Sequence, residues 1–128
     1  METKQVNING SDITLLKYND TWVFPLVTEY TGGLGSPVAI LLYEYTEGEL
    51  DYYCDVTVNL PDCHRSAGCQ FIDTNNNGES ILDWLVQNQF GEPTGNTGKS
   101  GFCTYPEFNF YKGEKFWEYK KASEEFDF

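Results

Sequence analysis

The stretch that decides the fold lies at residues 52–61 and reads Tyr-Tyr-Cys-Asp-Val-Thr-Val-Asn-Leu-Pro. Apolar side chains occupy every second position, at Tyr52, Cys54, Val56, Val58 and Leu60. Because successive side chains of an extended chain point to opposite faces, this alternation predicts a half-buried β-strand. Pro61 has no N–H to donate to a β-ladder, so we expect the strand to end there.

The residues before this strand predict an antiparallel meander. Residues 38–45 are apolar at most positions, which indicates a central strand covered on both faces. Residues 46–49 predict a hairpin loop between it and the strand at residues 52–60. Pro25 lies within an earlier strand pattern and indicates an edge strand or a bulge there. The glycine-rich residues 32–37 predict a flexible connection.

The residues after Pro61 alternate between strand and helix patterns. We expect a short strand at residues 71–72, a helix over residues 80–90 capped by Ser80 and stopped by Gly91, a glycine-rich loop to residue 101, an aromatic strand over residues 102–111 and a helix over residues 114–126. The chain is therefore predicted to be one α+β domain over residues 1–128. Its antiparallel sheet has about five strands, with one or two packed helices.

Composition bounds the class of protein. A chain of 128 residues is the usual size of one domain, and an aromatic content of 16% argues against disorder. No apolar run is long enough to cross a membrane, and the residues after Met1 lack the apolar core of a signal peptide. We therefore expect a cytoplasmic protein.

The charge is strongly negative, at −12, and is unevenly distributed. Between residues 18 and 98 the only basic residue is Arg65, against twelve acids. Such a surface repels phosphates and anionic membranes and attracts basic proteins, so we expect a protein partner with a basic surface and no direct nucleic-acid binding. The predicted binding surface consists of Glu44, Glu47, Glu49, Asp51, Asp55 and Asp62.

Two short motifs resemble ligand-binding loops but each lacks a required part. Residues 98–100 read Gly-Lys-Ser, as at the end of a phosphate-binding loop, yet Pro93 stands where the first glycine belongs. Residues 73–78 match the start of a calcium loop, but Trp84 occupies the position of the closing acid. We therefore predict no nucleotide, no metal and no other cofactor.

The cysteines leave one further alternative open. Cys63, His64 and Cys69, with Cys54 or Cys103, have the residue types of a zinc site, but their spacing is wider than the usual ligand pairs. A reducing cytosol favours free thiols. No catalytic residues are predicted, because the lone histidine has no evident orienting partner for nucleophilic chemistry.

The segment over residues 92–106 is predicted to be an ordered functional surface. Glycines supply unusual backbone angles while aromatic side chains hold the segment against the body of the protein. Its candidate residues are Glu92, Thr94, Gly95, Lys99, Ser100, Gly101, Phe102 and Tyr105.

Residues 56–61, 71–76 and 92–106 together carry a family resemblance. In these segments the chain resembles a family of small uncharacterised proteins carried on plasmids, conjugative elements and phages of gut Firmicutes and Bacteroides. The resembling part spans about residues 18–110. The acidic hairpin insert around residues 43–51 and the helical tail at residues 112–128 depart from the family pattern. The resemblance implies a mobile-element context and assigns no activity and no catalytic residues.

Charge and resemblance together give the functional hypothesis. We expect a non-enzymatic acidic protein-binding module of a mobile element, which acts as an anti-restriction or anti-CRISPR inhibitor by imitating the charge of nucleic acid. The alternatives are an accessory structural protein, whose acidity only maintains solubility, and a small thiol- or metal-dependent enzyme that uses Cys63, His64 or Cys103.

Overall fold

A five-stranded antiparallel meander forms the larger part of the fold. The structure is a computed structural model that describes residues 2–31 and 37–126, so residues 32–36 of the predicted flexible connection lie outside it. The sheet has the order β1-β2-β3-β4-β5. Its strands are β1 (Thr3–Ile8), β2 (Ser11–Tyr18), β3 (Thr21–Glu29), β4 (Val38–Thr46) and β5 (Glu49–Asp55). The predicted α+β class and the sheet of about five strands are confirmed.

Two-residue turns set the register of three hairpins in this sheet. The turns are Asn9–Gly10, Asn19–Asp20 and Glu47–Gly48, and all six residues have positive φ. Turns with two positive φ angles match the right-handed twist of the paired strands. The hairpin predicted at residues 46–49 is therefore confirmed.

A second, four-stranded antiparallel sheet was not predicted. It has the order β6-β7-β9-β8, and its strands are β6 (Thr57–Val58), β7 (Cys69–Ile72), β8 (Glu92–Ser100) and β9 (Cys103–Asn109). The prediction of a loop at residues 92–101 is wrong, because most of that segment pairs with β9 as an edge strand. Glycine and proline lower strand propensity, which hides this strand from sequence patterns.

The single strand predicted over residues 52–60 is also wrong, because it breaks at Val56. The Val56 N–H donates to the Ile40 carbonyl of the first sheet at 2.9 Å, and the Val56 carbonyl accepts from the Asp73 N–H beside the second sheet at 2.9 Å. The chain therefore leaves one sheet and enters the other at this residue. The predicted inward face fails at Tyr52, which is exposed, whereas Thr57 on the predicted outer face is buried.

Three helices complete the fold. They are α1 (Thr74–Asn77), α2 (Ser80–Gln87) and α3 (Glu114–Glu125), and a 3₁₀ turn at Phe110–Lys112 precedes α3. The C-terminal helix is as predicted. The cap predicted at Ser80 is wrong, since Glu79 occupies the N-cap position and makes no side-chain capping bond. The helix also ends before Gly91, because Gln89 already has a positive φ of 61°.

Aromatic side chains join α2, α3 and the first sheet in one core. Trp84 of α2 stacks on Phe90 at 5.8 Å between ring centroids, and Phe90 stacks on Tyr119 of α3 at 5.8 Å. Tyr119 in turn meets Phe24 of β3 edge-on at 5.6 Å. These helices therefore pack on the sheet through a continuous chain of rings. No helix in the described part of the chain is long and apolar enough to cross a membrane.

Pro25 lies where β2 and β3 separate. The strand β3 is interior to the sheet, so the prediction of an edge strand is wrong for β3 as a whole. The β2–β3 ladder ends, however, at the pair Leu16–Val23, two residues before Pro25. Beyond that point the Val27 N–H donates instead to Ser123 Oγ of α3 at 2.9 Å. Proline is tolerated here because α3, not β2, borders this side of β3.

Candidate functional site

Five of the six predicted surface acids lie on one hairpin, here called the acidic hairpin. It consists of β4, β5 and their turn, and it carries Glu44, Glu47, Glu49, Asp51 and Asp55. Because β5 is the last strand of the first sheet, no strand of the described residues pairs with one side of its backbone. The sixth acid, Asp62, is exposed in the loop between β6 and β7, outside this hairpin.

Strand register brings two of these acids face to face. Glu44 of β4 stands directly opposite Asp51 of β5. Like charges in that position destabilise a sheet by a fraction of a kcal/mol, up to about 1 kcal/mol. Across residues 2–31 and 37–126, no ion pair includes any carboxylate of the acidic hairpin. The ion pairs between described residues are Lys17–Glu2, Lys112–Glu92, Lys115–Glu118 and Lys120–Glu124. Within the described ranges, these carboxylates therefore have no ion-pair partner.

Two tyrosines on β5 add aromatic surface to the acidic hairpin. Tyr52 is 55% exposed and Tyr53 is 38% exposed. Tyr52 meets the ring of Tyr43 edge-on at 6.2 Å between centroids. Partial burial and the nearby Asp55 carboxylate raise the pKa of the Tyr52 hydroxyl, which therefore remains a neutral donor at neutral pH. The hairpin thus offers carboxylate acceptors, a hydroxyl donor and aromatic rings on one strand.

The segment predicted as an ordered loop, residues 92–106, forms the β8–β9 hairpin. Its ladder shifts register between Pro93 and Thr97. Within that irregularity Thr94 Oγ1 donates to Glu107 Oε1 at 2.7 Å, and Asn96 Nδ2 donates to the same oxygen at 3.3 Å. Bulges of this kind redirect side chains at the edges of sheets. The bulged residues are therefore held against one carboxylate.

Sequence reasoning missed Glu107, which is only 2% exposed. Strand alternation assigned it to the polar face of the aromatic strand, and residues of the β8 bulge cover that face. The only sequence signal was its position between Pro106 and Phe108, since a lone acid in an apolar run is usually paired when buried. Its partners come from another strand and could not be predicted.

A small apolar cluster holds the second half of β8. Its buried members are Leu60, Phe71 and Tyr105. Gly98 lies directly on it, since a Cβ at this position would come within 2.7 Å of the Phe71 ring. The neighbouring Lys99 carbonyl accepts from the Cys63 thiol at 3.6 Å. A glycine at residue 98 is thus explained by close packing instead of by phosphate binding.

The cysteines do not assemble into a reactive or metal-binding group. Burial, together with Asp55 and Asp73, raises the pKa of the Cys54 thiol to about 11, so this side chain is protonated at neutral pH. Burial also raises the pKa of Cys69. In the described ranges no three His, Cys, Asp or Glu side chains are placed to hold a metal ion.

The calcium-like segment has a structural role in α1. Asp73 Oδ1 accepts from the Asn76 N–H at 3.1 Å, and Asp73 Oδ2 accepts from Asn76 Nδ2 at 2.8 Å. Asn77 Nδ2 donates to the Asp55 carbonyl at 2.7 Å. Side-chain bonds of this kind satisfy the unpaired N–H groups at the start of a helix. The acid and the asparagines therefore act as a helix cap that ties α1 to β5.

Comparison with known proteins gives a family match. Residues 26–128 match a family model described as "Domain of unknown function (DUF4313)". No curated protein and no solved structure matches the chain. The matched region contains both the acidic hairpin and the β8–β9 hairpin.

Proposed function

Because the chain belongs to the DUF4313 family of unknown function, we propose its role from its surface: a non-enzymatic module that binds a basic protein through the acidic hairpin. The carrying observation is the opposed pair Glu44–Asp51, which weakens the isolated fold and is matched by no ion pair in the described part of the chain. A cationic partner would remove this repulsion. Binding to such a partner would therefore gain free energy that the free protein lacks.

The geometry of the hairpin supports a partner whose normal ligand is a polyanion. Carboxylates at alternate positions of a strand, as at Glu49 and Asp51, repeat about every 6.7 Å. That repeat is about twice the 3.4 Å of helix axis that each phosphate of one strand occupies in B-DNA. A rigid strand with this spacing presents charge to a basic groove without the flexibility of a free peptide, and its field accelerates association.

The finer proposal is that the partner is a nucleic-acid-binding defence protein, such as a restriction or CRISPR nuclease. It is supported by the resemblance to proteins of plasmids, conjugative elements and phages, because such elements meet these nucleases in the host cytoplasm. The protein would then act as an inhibitor that occupies the nucleic-acid groove. It needs no catalytic residue and no cofactor for this role.

The test is capture of partners from host lysate by the wild-type protein and by the triple charge-reversal variant Glu47→Lys, Glu49→Lys, Asp51→Lys. The matched control reverses three exposed acids on the helices, Asp83, Glu114 and Glu125. We expect the hairpin variant alone to lose a nucleic-acid-binding partner, and we expect DNA or RNA and added salt to displace that partner from the wild type. A partner retained by the hairpin variant and indifferent to salt would contradict the proposal.

A structural accessory protein is the second candidate, and one observation favours it. The acidic hairpin contains the edge strand β5, and charged side chains on an edge strand prevent pairing with other chains. If the charges only protect this edge, lysine should protect it as well as the acids do. The triple-reversal variant should then aggregate no more than the helix control. It would also lose no partner, which separates the two functions in the same experiment.

A further inference from the structure

A phenylalanine is fully exposed at the tip of the β8–β9 hairpin. Phe102 occupies the two-residue turn with Gly101, between the paired residues Ser100 and Cys103. Burying a whole phenylalanine side chain contributes about 1.5–3 kcal/mol of favourable free energy, which an exposed side chain lacks. Buried aromatic residues dominate binding energy at protein interfaces. Phe102 is therefore suited to act as an anchor residue that inserts into a pocket of a partner.

The hairpin that carries Phe102 packs against the protein just before its tip. Gly98 packs on the Phe71 ring, and the Lys99 carbonyl accepts from the Cys63 thiol. These contacts lie only three or four residues before Phe102. Holding a side chain in place before binding lowers the entropy lost on association.

An aromatic cleft of about 350 Å³ opens at another part of the surface. Apolar walls come from Val27, Val38, Phe116 and Tyr111, and its polar rim includes Glu29 and Lys120. Tyr111 is 49% exposed, and its ring lies 4.9 Å from that of the exposed Trp117. A cavity of about 150 Å³ already holds benzene, so this cleft has room for a phenyl ring.

The anchor and the cleft lie beyond opposite ends of the same strand. Phe102 directly precedes β9 (Cys103–Asn109), and Tyr111 follows it by two residues. At about 3.3 Å per residue, β9 alone separates them by about 20 Å. They cannot meet within one chain, but they can meet between two copies arranged head to tail.

We propose that Phe102 of one copy of this chain inserts into the aromatic cleft of a second copy. Charge complementarity supports this occupant: Lys99 is the base nearest to Phe102 along the chain, and Glu29 stands on the rim of the cleft. A basic residue beside the anchor thus approaches an acidic rim, in a protein whose net charge otherwise opposes self-association. The contact is heterologous, so it extends into short linear assemblies unless the rotation closes a ring.

Sedimentation velocity from micromolar to millimolar concentration tests the contact. We expect the wild type to self-associate, and Phe102→Ala to weaken this association by roughly tenfold to a hundredfold. The matched control is Val86→Ala, which shortens an exposed apolar side chain of α2 and should leave association unchanged. A wild type that stays monomeric throughout, or a Phe102→Ala variant that associates as tightly as the wild type, overturns the proposal.

A mixing experiment tests the head-to-tail arrangement. Thr28→Trp places a ring in the cleft from an exposed position of its lining and leaves Phe102 intact. At a concentration where the wild type self-associates, each variant alone should be mostly monomeric. A mixture of Phe102→Ala with Thr28→Trp should form a 1:1 complex, because one supplies the cleft and the other the anchor. Failure of two folded variants to form that complex overturns the arrangement.

A charge exchange provides a test that does not depend on filling the cleft. Lys99→Glu should weaken the self-association of the full chain, and the added substitution Glu29→Lys should restore it. Both positions are exposed, so neither change should disturb the fold. If self-association is lost in Lys99→Glu and restored in the double variant, the result supports the pairing of Lys99 with Glu29. If both variants lose self-association equally, the result contradicts this pairing.

Discussion

The Tyr119 hydroxyl donates a 2.6 Å hydrogen bond to the backbone carbonyl of Thr14, which lies 105 residues earlier in the chain. The register of β2 and β3 would place Thr14 opposite Pro25, since the pairs Leu16–Val23 and Tyr18–Thr21 belong to the same ladder. Proline has no N–H to give to that carbonyl. The helix α3 therefore supplies the donor that the sheet lacks.

Replacing Tyr119 by Phe should lower the free energy of unfolding by about 1–3 kcal/mol, since the half-buried Thr14 carbonyl loses its donor. Urea denaturation measures this change as a lower midpoint. The control is Tyr111→Phe, at an exposed ring, which should shift the midpoint little. Equal midpoints for the wild type and Tyr119→Phe would mean that another donor serves Thr14.

Replacing Thr57 by Val should also destabilise the fold, although the two side chains have the same shape. Thr57 Oγ1 accepts from the Ile40 N–H at 3.1 Å and bonds the Tyr30 hydroxyl at 2.9 Å. Loss of this buried acceptor should cost about 1–3 kcal/mol, whereas Thr104→Val at an exposed position of β9 should cost less than about 0.5 kcal/mol. Thermal unfolding of both variants provides the comparison.

Replacing Asp51 by Asn should stabilise the protein, because it removes the repulsion from Glu44 across the strands. The gain should be a few tenths of a kcal/mol, up to about 1 kcal/mol. It should shrink with added salt, which screens exposed charges. Glu49→Gln is the matched control, since Glu49 faces Thr46, which carries no charge. A loss of stability in Asp51→Asn would show that Asp51 supports the fold and weaken the case for a binding role.

Replacing Glu107 by Ala should destabilise the β8–β9 hairpin by about 1.5–3 kcal/mol, because two donors of the bulge lose a charged acceptor. Glu107→Gln keeps an acceptor oxygen at the same place and should recover part of that loss. Hydrogen exchange of the amides in β8, measured by NMR, locates the effect. If the amides of β8 were equally protected from hydrogen exchange in Glu107→Ala, the bulge would be stable without the Glu107 carboxylate.

Cys54 should resist alkylation in the folded protein. With a pKa of about 11, its reactive thiolate is rare at pH 8 and rises about tenfold with each pH unit until the pH reaches that value. Iodoacetamide labelling followed by mass spectrometry measures each cysteine separately, and protein unfolded in urea is the control. Rapid native labelling of Cys54 at pH 7 would revive a thiol-dependent function.

Local patterns in the sequence were sufficient to predict the meander and the C-terminal helix. Two-residue turns such as Glu47–Gly48 need only their own backbone angles, and the apolar stripe of α3, including Phe116 and Tyr119, follows from helical spacing. The concentration of acids on the acidic hairpin was predictable for the same reason, since neighbours in the sequence stay neighbours in a hairpin. These features depend on contacts within a few residues.

The tertiary structure alone decided the features that join distant segments. The strand break at Val56 arises because its N–H bonds to the first sheet and its carbonyl bonds beside the second, although the apolar alternation in the sequence continues across this residue. The same holds for Glu107, whose burial depends on the bulge in β8, and for Tyr119, whose hydroxyl completes a ladder that Pro25 interrupts. The periodicity of side chains indicates which face of an element is buried. It does not indicate which distant group each hydrogen-bond donor or acceptor will pair with.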